Sequence, residues 1–363
     1  MSFKSLKIGK YEIEKPIVQG GMGVGISWDQ LAGTVSKEGG LGVVSSVGTG
    51  YYKNKEYAHK LVSNRPLSEE NFYSKDGFKA IVDNARKICG DKPLAANILY
   101  AINGYGDVVR NACEIGVDII ITGAGLPTNM PEFTEGYPDV ALVPIVSSPK
   151  ALKIICKRWK QRYNRLPDAV VLEGPKSGGH QGFTYEQCKM EEYQLENLVA
   201  PVVEEAKKWG DIPVIAAGGI WDKNDIEKMM ALGAEGVQMG TRFIGTYECD
   251  AHANFKKVLL DAKKEDIQLM KSPVGYPAQG VVTHLTHLVE KREGPAIKCI
   301  SNCVAPCNRG EEAKEVGFCI ADRLSDAYEG NTETGLFFSG TNGYKLNEII
   351  SVEELMQKLT QGE

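Results

Sequence analysis

Along the 363-residue chain, short uninterrupted apolar runs recur, each bounded by Gly or Pro, and most are followed by a stretch where apolar residues return at helical spacing. The runs are Pro16 to Met22, Leu41 to Val47, Leu94 to Tyr100, Asp118 to Gly123, Ala141 to Val146, Ala169 to Gly174, Pro213 to Ala217 and Gly236 to Thr241. Strands without polar alternation suit a sheet covered on both faces, and strand-helix alternation implies parallel strands joined by right-handed crossovers. Eight such units predict an α/β fold, a TIM (β/α)8 barrel, and the span from Pro16 to about Ala262 matches the roughly 250 residues usual for it.

The segments between the runs support this. After the seventh run, Asp222 or Asn224 is placed to cap a helix, Ile226, Met229 and Met230 share one face, and Gly233 stops it. Tyr105 to Gly116 carries Val108, Val109, Ala112 and Cys113 on one stripe. The link LPTNMPEFTEGYPD holds three prolines and predicts a loop with at most one helical turn. Two stretches exceed what the barrel needs: an insertion after strand 2, at about 50 to 92, and a Cys-containing C-terminal excursion over 263 to 363, expected to pack back on a barrel formed by 1 to 262. Within the excursion LFFSG is strand-like, and SVEELMQKL predicts an amphipathic helix capped by Ser351 with Glu354 three residues on.

Composition narrows the function. A net charge of -5 with scattered Lys and Arg lacks the basic surface that duplex binding requires. No apolar run approaches the roughly 18 residues of a membrane span, and the start MSFKSLKIGKYEIEKP carries charges where a signal peptide needs apolar residues. The expectation is a cytoplasmic protein with a small-molecule substrate, without nucleic-acid or membrane partners, and with oligomerisation left open. Among the nine cysteines, Cys89, Cys113, Cys156, Cys188 and Cys249 are dispersed in the manner of reduced core thiols.

The 40 glycines concentrate at predicted strand ends, where barrels of this type carry their chemistry. Gly20-Gly21-Met22-Gly23 ends the first strand, Asn97 lies in the third, Glu173-Gly174-Pro175-Lys176-Ser177-Gly178-Gly179-His180 follows the sixth, Ala217-Gly218-Gly219 the seventh and Gly240-Thr241 the eighth. The last two groups are neighbours on the rim, offering bare backbone N–H groups and a hydroxyl at the place where such barrels hold phosphate. His180, alone of five histidines, directly follows a buried strand, among glycines that leave it open to a ligand; its imidazole suits proton transfer or oxyanion binding. Lys176 adds a cation nearby. Cys299, Cys303, Cys307 and Cys319 form C-x3-C-x3-C-x11-C, a looser spacing than most zinc and iron-sulfur sites, so metal binding and packing thiols both stay open and no metal is assigned.

PIVQGGM, GPKSGGHQG, AAGGI and GVQMGTRF, in order on the first, sixth, seventh and eighth strands, resemble the nitronate monooxygenase family, and also its relative, the flavin-dependent enoyl-acyl-carrier-protein reductase. The resemblance runs from about Ile13 to Phe243 and resumes at GLFFSGTNGYKLNEIISVEELM. It implies non-covalent FMN: Gly21 and Met22 meeting the flavin ring through their backbone, Asn97 bonding its pyrimidine edge, Gly178 and Gly179 along the cofactor, and Ala217, Gly218, Gly219, Gly240 and Thr241 holding the phosphate. His180 matches the family's active-site histidine. The implied reaction is oxidation of alkyl nitronates to carbonyl compounds and nitrite. The alternatives are NAD(P)H-dependent reduction of an enoyl thioester and a non-catalytic flavin electron-transfer protein.

Overall fold

The computed structural model describes residues 3 to 53, 72 to 295, 297, 299 to 304, 307 and 317 to 362. A hairpin opens the chain, β1 (Leu6–Ile8) paired antiparallel with β2 (Tyr11–Ile13). Then come β3 (Ile17–Gln19), β4 (Gly42–Ser45), β5 (Leu94–Leu99), β6 (Ile119–Gly123), β7 (Ala141–Val146) and β8 (Val170–Glu173). The two-residue β9 (Gly179–His180) leaves the barrel, which β10 (Val214–Ala217) and β11 (Gly236–Met239) complete, and β12 (Ile267–Met270) and β13 (Ala278–Val281) follow outside it. Eight parallel strands lie in the order β3-β11-β10-β8-β7-β6-β5-β4. The seam between β3 and β4 closes through a bridge from Val18 to Leu41, with Gln19 N–H and Leu41 N–H donating across it, each at 2.9 Å. All eight predicted strands are present.

Alternate strand residues fill the interior: Val43, Ala95, Ile121, Val171 and Ile215 belong to one buried cluster, as layered barrel packing requires. Leu6, Ile8 and Ile13 of the hairpin join that cluster and plug the lower end of the barrel. The other strand faces pack against the outer helices. These include α1 (Asp29–Lys37), the short α2 (Thr49–Lys53), α3 (Lys75–Cys89), α4 (Tyr105–Ile115), α5 (Pro149–Tyr163), α6 (Leu195–Lys207) and α7 (Lys223–Ala231). Asp222 caps α7 through a capping box with Asp225, and Gly116 stops α4 in the left-handed region. The proline-rich link forms a single 3-10 stretch, Met130–Thr134. The latter part of the expected insertion is α3 itself, the crossover helix packed on α1, and residues 54 to 71 lie outside the described residues.

The C-terminal excursion differs from expectation in two ways. LFFSG is extended but forms only an isolated bridge from Phe338 to Gly280, because Leu336 N–H and the Phe337 carbonyl pair separately with Arg323 and Val281. The helix Val352–Gln361, capped as predicted by Ser351 through the Glu354 N–H, packs between α1 and α7. It therefore fills the eighth outer-helix position, between β11 and β3. The boundary expected at 262/263 thus does not end the barrel: the chain leaves after β11, and Ile350 returns beside it, its N–H donating to the Gly245 carbonyl at 3.1 Å while the Ile350 carbonyl accepts the Tyr247 N–H at 2.9 Å.

Candidate active site

Strand alternation fixes what the top of the barrel presents. Two residues beyond the interior positions Val43, Ala95 and Val171 come Ser45, Asn97 and Glu173, and all three line a cavity of about 550 Å³ at the C-terminal ends of the strands. That volume lies within the range of small-ligand sites. Every residue singled out from the glycine loops lines the same cavity: Gly21, Met22, Asn97, Gly178, Gly179, His180, Ala217, Gly218, Gly219, Gly240 and Thr241.

The glycines are there for space. A Cβ on Gly21 would stand 2.3 Å from Asn97 Cβ, and one on Gly218, whose φ is +103°, would meet the Gly174 carbonyl oxygen at 2.8 Å. Side chains at these positions are therefore excluded, and the backbone lies bare toward the cavity. Met22 lines the cavity from a tight turn. Its N–H donates to Ser27 Oγ at 2.8 Å and its carbonyl accepts the Ser27 N–H at 3.1 Å, so its backbone is engaged within its own turn.

His180 stands on β9, which pairs with Gln279 and Ala278 of β13. Its Nε2 lies 2.8 Å from Ser272 Oγ, and Phe338 packs edge-on against the ring at 5.4 Å between centroids. Burial pushes the imidazole down to about 4, so the ring is neutral at physiological pH. The loop before it is tied by Gln181, whose Nε2 donates to the carbonyls of Ser177 at 2.8 Å and Gly179 at 3.1 Å. Lys176 lines the cavity wall, but its ammonium turns to Glu196 at 3.8 Å and its carbonyl accepts the Thr341 N–H at 3.1 Å.

The site holds residues to which the sequence alone assigned no role. Glu173, half-buried on the cavity wall at the end of β8, has its carboxyl pushed up to about 7 by desolvation, partly offset by a hydrogen bond with Ser177. Its signal was present, an acidic residue ending an apolar strand on the interior-facing parity. Phe338, Gly340 and Asn342 come from the excursion, within the stretch GLFFSGTNGYKLNEIISVEELM, whose sequence shows the resemblance but not its place at the site, and Ser272 comes from a part of it with no local signal. Gly340 N–H donates to Thr241 Oγ1 at 2.9 Å and Asn342 Nδ2 to the Gly219 carbonyl at 2.6 Å, so the segment after Phe338 covers the rim of β10 and β11. Cys303 also lines the cavity, yet among the described residues no group of three or more His, Cys, Asp or Glu is arranged to hold a metal ion. No described helix is long and apolar enough to cross a membrane.

Comparison with known proteins agrees with this architecture. The model of the family described as nitronate monooxygenase matches residues 4–362. A probable nitronate monooxygenase from Staphylococcus saprophyticus is 26% identical over 299 residues, covering 79% of this chain and 81% of its own length. FabK from Thermotoga maritima superposes with a TM-score of 0.72 at 26% identity, covering 96% of this chain and 93% of that one. Nitroalkane oxidase from Streptomyces ansochromogenes shares the fold, with a TM-score of 0.66 at 20% identity over 96% of this chain and 95% of that one.

Proposed function

The chain belongs to the nitronate monooxygenase family, and we propose that it is an FMN-dependent oxidoreductase that converts alkyl nitronates to carbonyl compounds and nitrite. The residues present fit the cofactor. Bare backbone at Gly21, Gly178 and Gly218 suits a flat ring system and its tail, and Gly219, Gly240 and Thr241 suit a phosphate. Closure over that rim by Gly340 and Asn342 supports a mononucleotide in preference to a longer dinucleotide. FMN, when bound, supplies the redox chemistry.

The observation that carries the substrate reading is the neutral imidazole of His180 beside Ser272. A histidine pushed this far down is a poor base and holds a proton poorly as an acid, but its N–H remains a good hydrogen-bond donor. A nitronate is already an anion, so it requires no proton abstraction, only donors for its oxygens. Ser272 acts as a positioning residue by fixing the ring at Nε2, which leaves Nδ1 as the donor toward substrate. Phe338 keeps water from the other side of the ring.

Anaerobic mixing with an alkyl nitronate, in the absence of NAD(P)H, is expected to bleach the flavin absorbance. His180→Ala is expected to retain flavin and to lower turnover by roughly 10²- to 10³-fold, the cost of removing one anion donor; unchanged turnover would remove the histidine from the reaction. The likeness to FabK and the apolar wall of Val274, Ile320, Leu324 and Leu336 favour a second reading, reduction of an enoyl thioester by NAD(P)H. Bleaching by NADH but not by nitronate would select it.

A further inference from the structure

The three-stranded sheet β12-β13-β9 has two faces with different surroundings. Met270, Ala278 and His180 lie in register across it, and so do Leu269, Gln279 and Gly179. Successive residues of a strand point to opposite sides, so the two rows face opposite ways. His180 faces the substrate cavity. Leu269 and Gln279 face away from it and line a second pocket, of about 380 Å³, behind the strand that carries the histidine.

The lining of this pocket is one-sided in charge. Lys176 and Lys189 belong to it, and no carboxylate does. Lys176 shares Glu196, at 3.8 Å, with Lys228, which holds that carboxylate more closely at 3.0 Å. The Lys189 ammonium stands 4.5 Å from the centre of the Tyr185 ring, a contact that positions the cation without neutralising it. The ring is itself tied down, since the Tyr185 hydroxyl donates to the Leu269 carbonyl at 3.1 Å. Gln279 is only 4% exposed, and among the described residues its side-chain amide meets no hydrogen-bond partner. A buried amide in that state costs free energy, and a ligand in the pocket removes the cost.

We propose that this pocket binds a small organic phosphate, its oxygens held by Lys176, Lys189 and the Gln279 amide. Two ammonium groups match the nearly double charge of a phosphate monoester at neutral pH, whereas a carboxylate carries one charge. At about 30 Å³ per water the pocket holds on the order of ten, more than a bare phosphate displaces, and Pro175 and Leu269 offer apolar contact to the rest of the ligand. Lys176 lines both cavities, but neither His180 nor any of the rim glycines lines this one. The site is therefore distinct from the flavin cradle, and it stands whichever substrate the flavin serves.

The test is calorimetric titration of the full-length protein with glycerol phosphate, with FMN in excess so that a phosphate subsite in the main cavity is already filled. Saturable binding with a Kd below roughly 1 mM is expected. Lys189→Met and Gln279→Met should each weaken it by roughly 10-fold, and Lys257→Met, at a lysine outside the pocket, should leave it unchanged. Lys189 is exposed, so its replacement carries the test even if the variant at the buried Gln279 fails to fold. Absence of saturation, unchanged affinity in Lys189→Met, or tighter binding of succinate than of glycerol phosphate would overturn the proposal.

Discussion

At the scale of the residue, two half-buried ionisable groups in the cavity have opposite pH signatures. Glu173 is pushed up from 4.5 to about 7, so the folded chain holds that proton more tightly than the unfolded one. Its contribution is complete below pH 4.5 and is lost as pH rises through 7. His180 is pushed down from 6.5 to about 4, so the folded chain holds its proton less tightly, and stability falls as pH drops from 6.5 toward 4. Between pH 4.5 and 6.5 the two slopes oppose each other, and only single variants separate them. Glu173→Gln should gain stability over the unsubstituted protein by on the order of 3 kcal/mol more at pH 8 than at pH 4, measured by urea unfolding of the flavin-free protein. An equal difference at both pH values would show that ionisation of Glu173 carries no cost. The glycine cradle and His180 were legible in the sequence because close backbone approach and a histidine amid glycines leave a local mark. Ser272 was not, since nothing around it distinguishes a residue brought in from far along the chain, and the motif around Asn342 gave no sign that it reaches the rim of β10.

Among the elements, strands with both faces covered were the easiest to recognise, because each is a continuous apolar run with nothing polar to disguise it. The β1-β2 hairpin escaped notice for the converse reason. Its three-residue strands alternate, with Lys7 and Glu12 outward, so a run of charges concealed the inward Leu6, Ile8 and Ile13. Helix α1 shows a cap that no local pattern predicts. Trp28 has no side-chain capping bond; instead Asp250 accepts the N–H groups of Trp28 at 2.7 Å, Gln30 at 3.2 Å and Leu31 at 3.3 Å. Replacing a helix cap costs about 0.5 to 2 kcal/mol, and a half-buried side chain serving three donors belongs at the upper end. Asp250→Ala is therefore expected to lower the unfolding free energy by about 2 kcal/mol. A change within a few tenths, read from the denaturation midpoint, would mean that water replaces the cap.

For the molecule as a whole, the barrel is finished by a helix that follows its strand at about 110 residues' remove. Met356 is fully buried there, its Cε within 2.9 Å of where a Gly40 side chain would begin. Met356→Ala should cost about 2 to 5 kcal/mol, measured by chemical denaturation; a loss below 1 kcal/mol would show that the helix is a loose appendage. Periodicity identified this helix correctly but could not say which gap it fills, since spacing along a chain carries no address in space.

The excursion departs and returns at one hydrogen-bonded stem, Gly245 and Tyr247 on one side and Ile350 on the other. The entropy lost in closing such a loop grows only as the logarithm of its length, each doubling adding about 0.6 kcal/mol. Whatever lies above the stem is thus nearly free to be lengthened, trimmed or exchanged without rewiring the eight strands beneath. The part of the cavity wall built by the excursion is in effect carried on a removable cassette. A graft from a relative would keep the rim of β10 and β11 covered only if it brought equivalents of Gly340 and Asn342 along with the new wall.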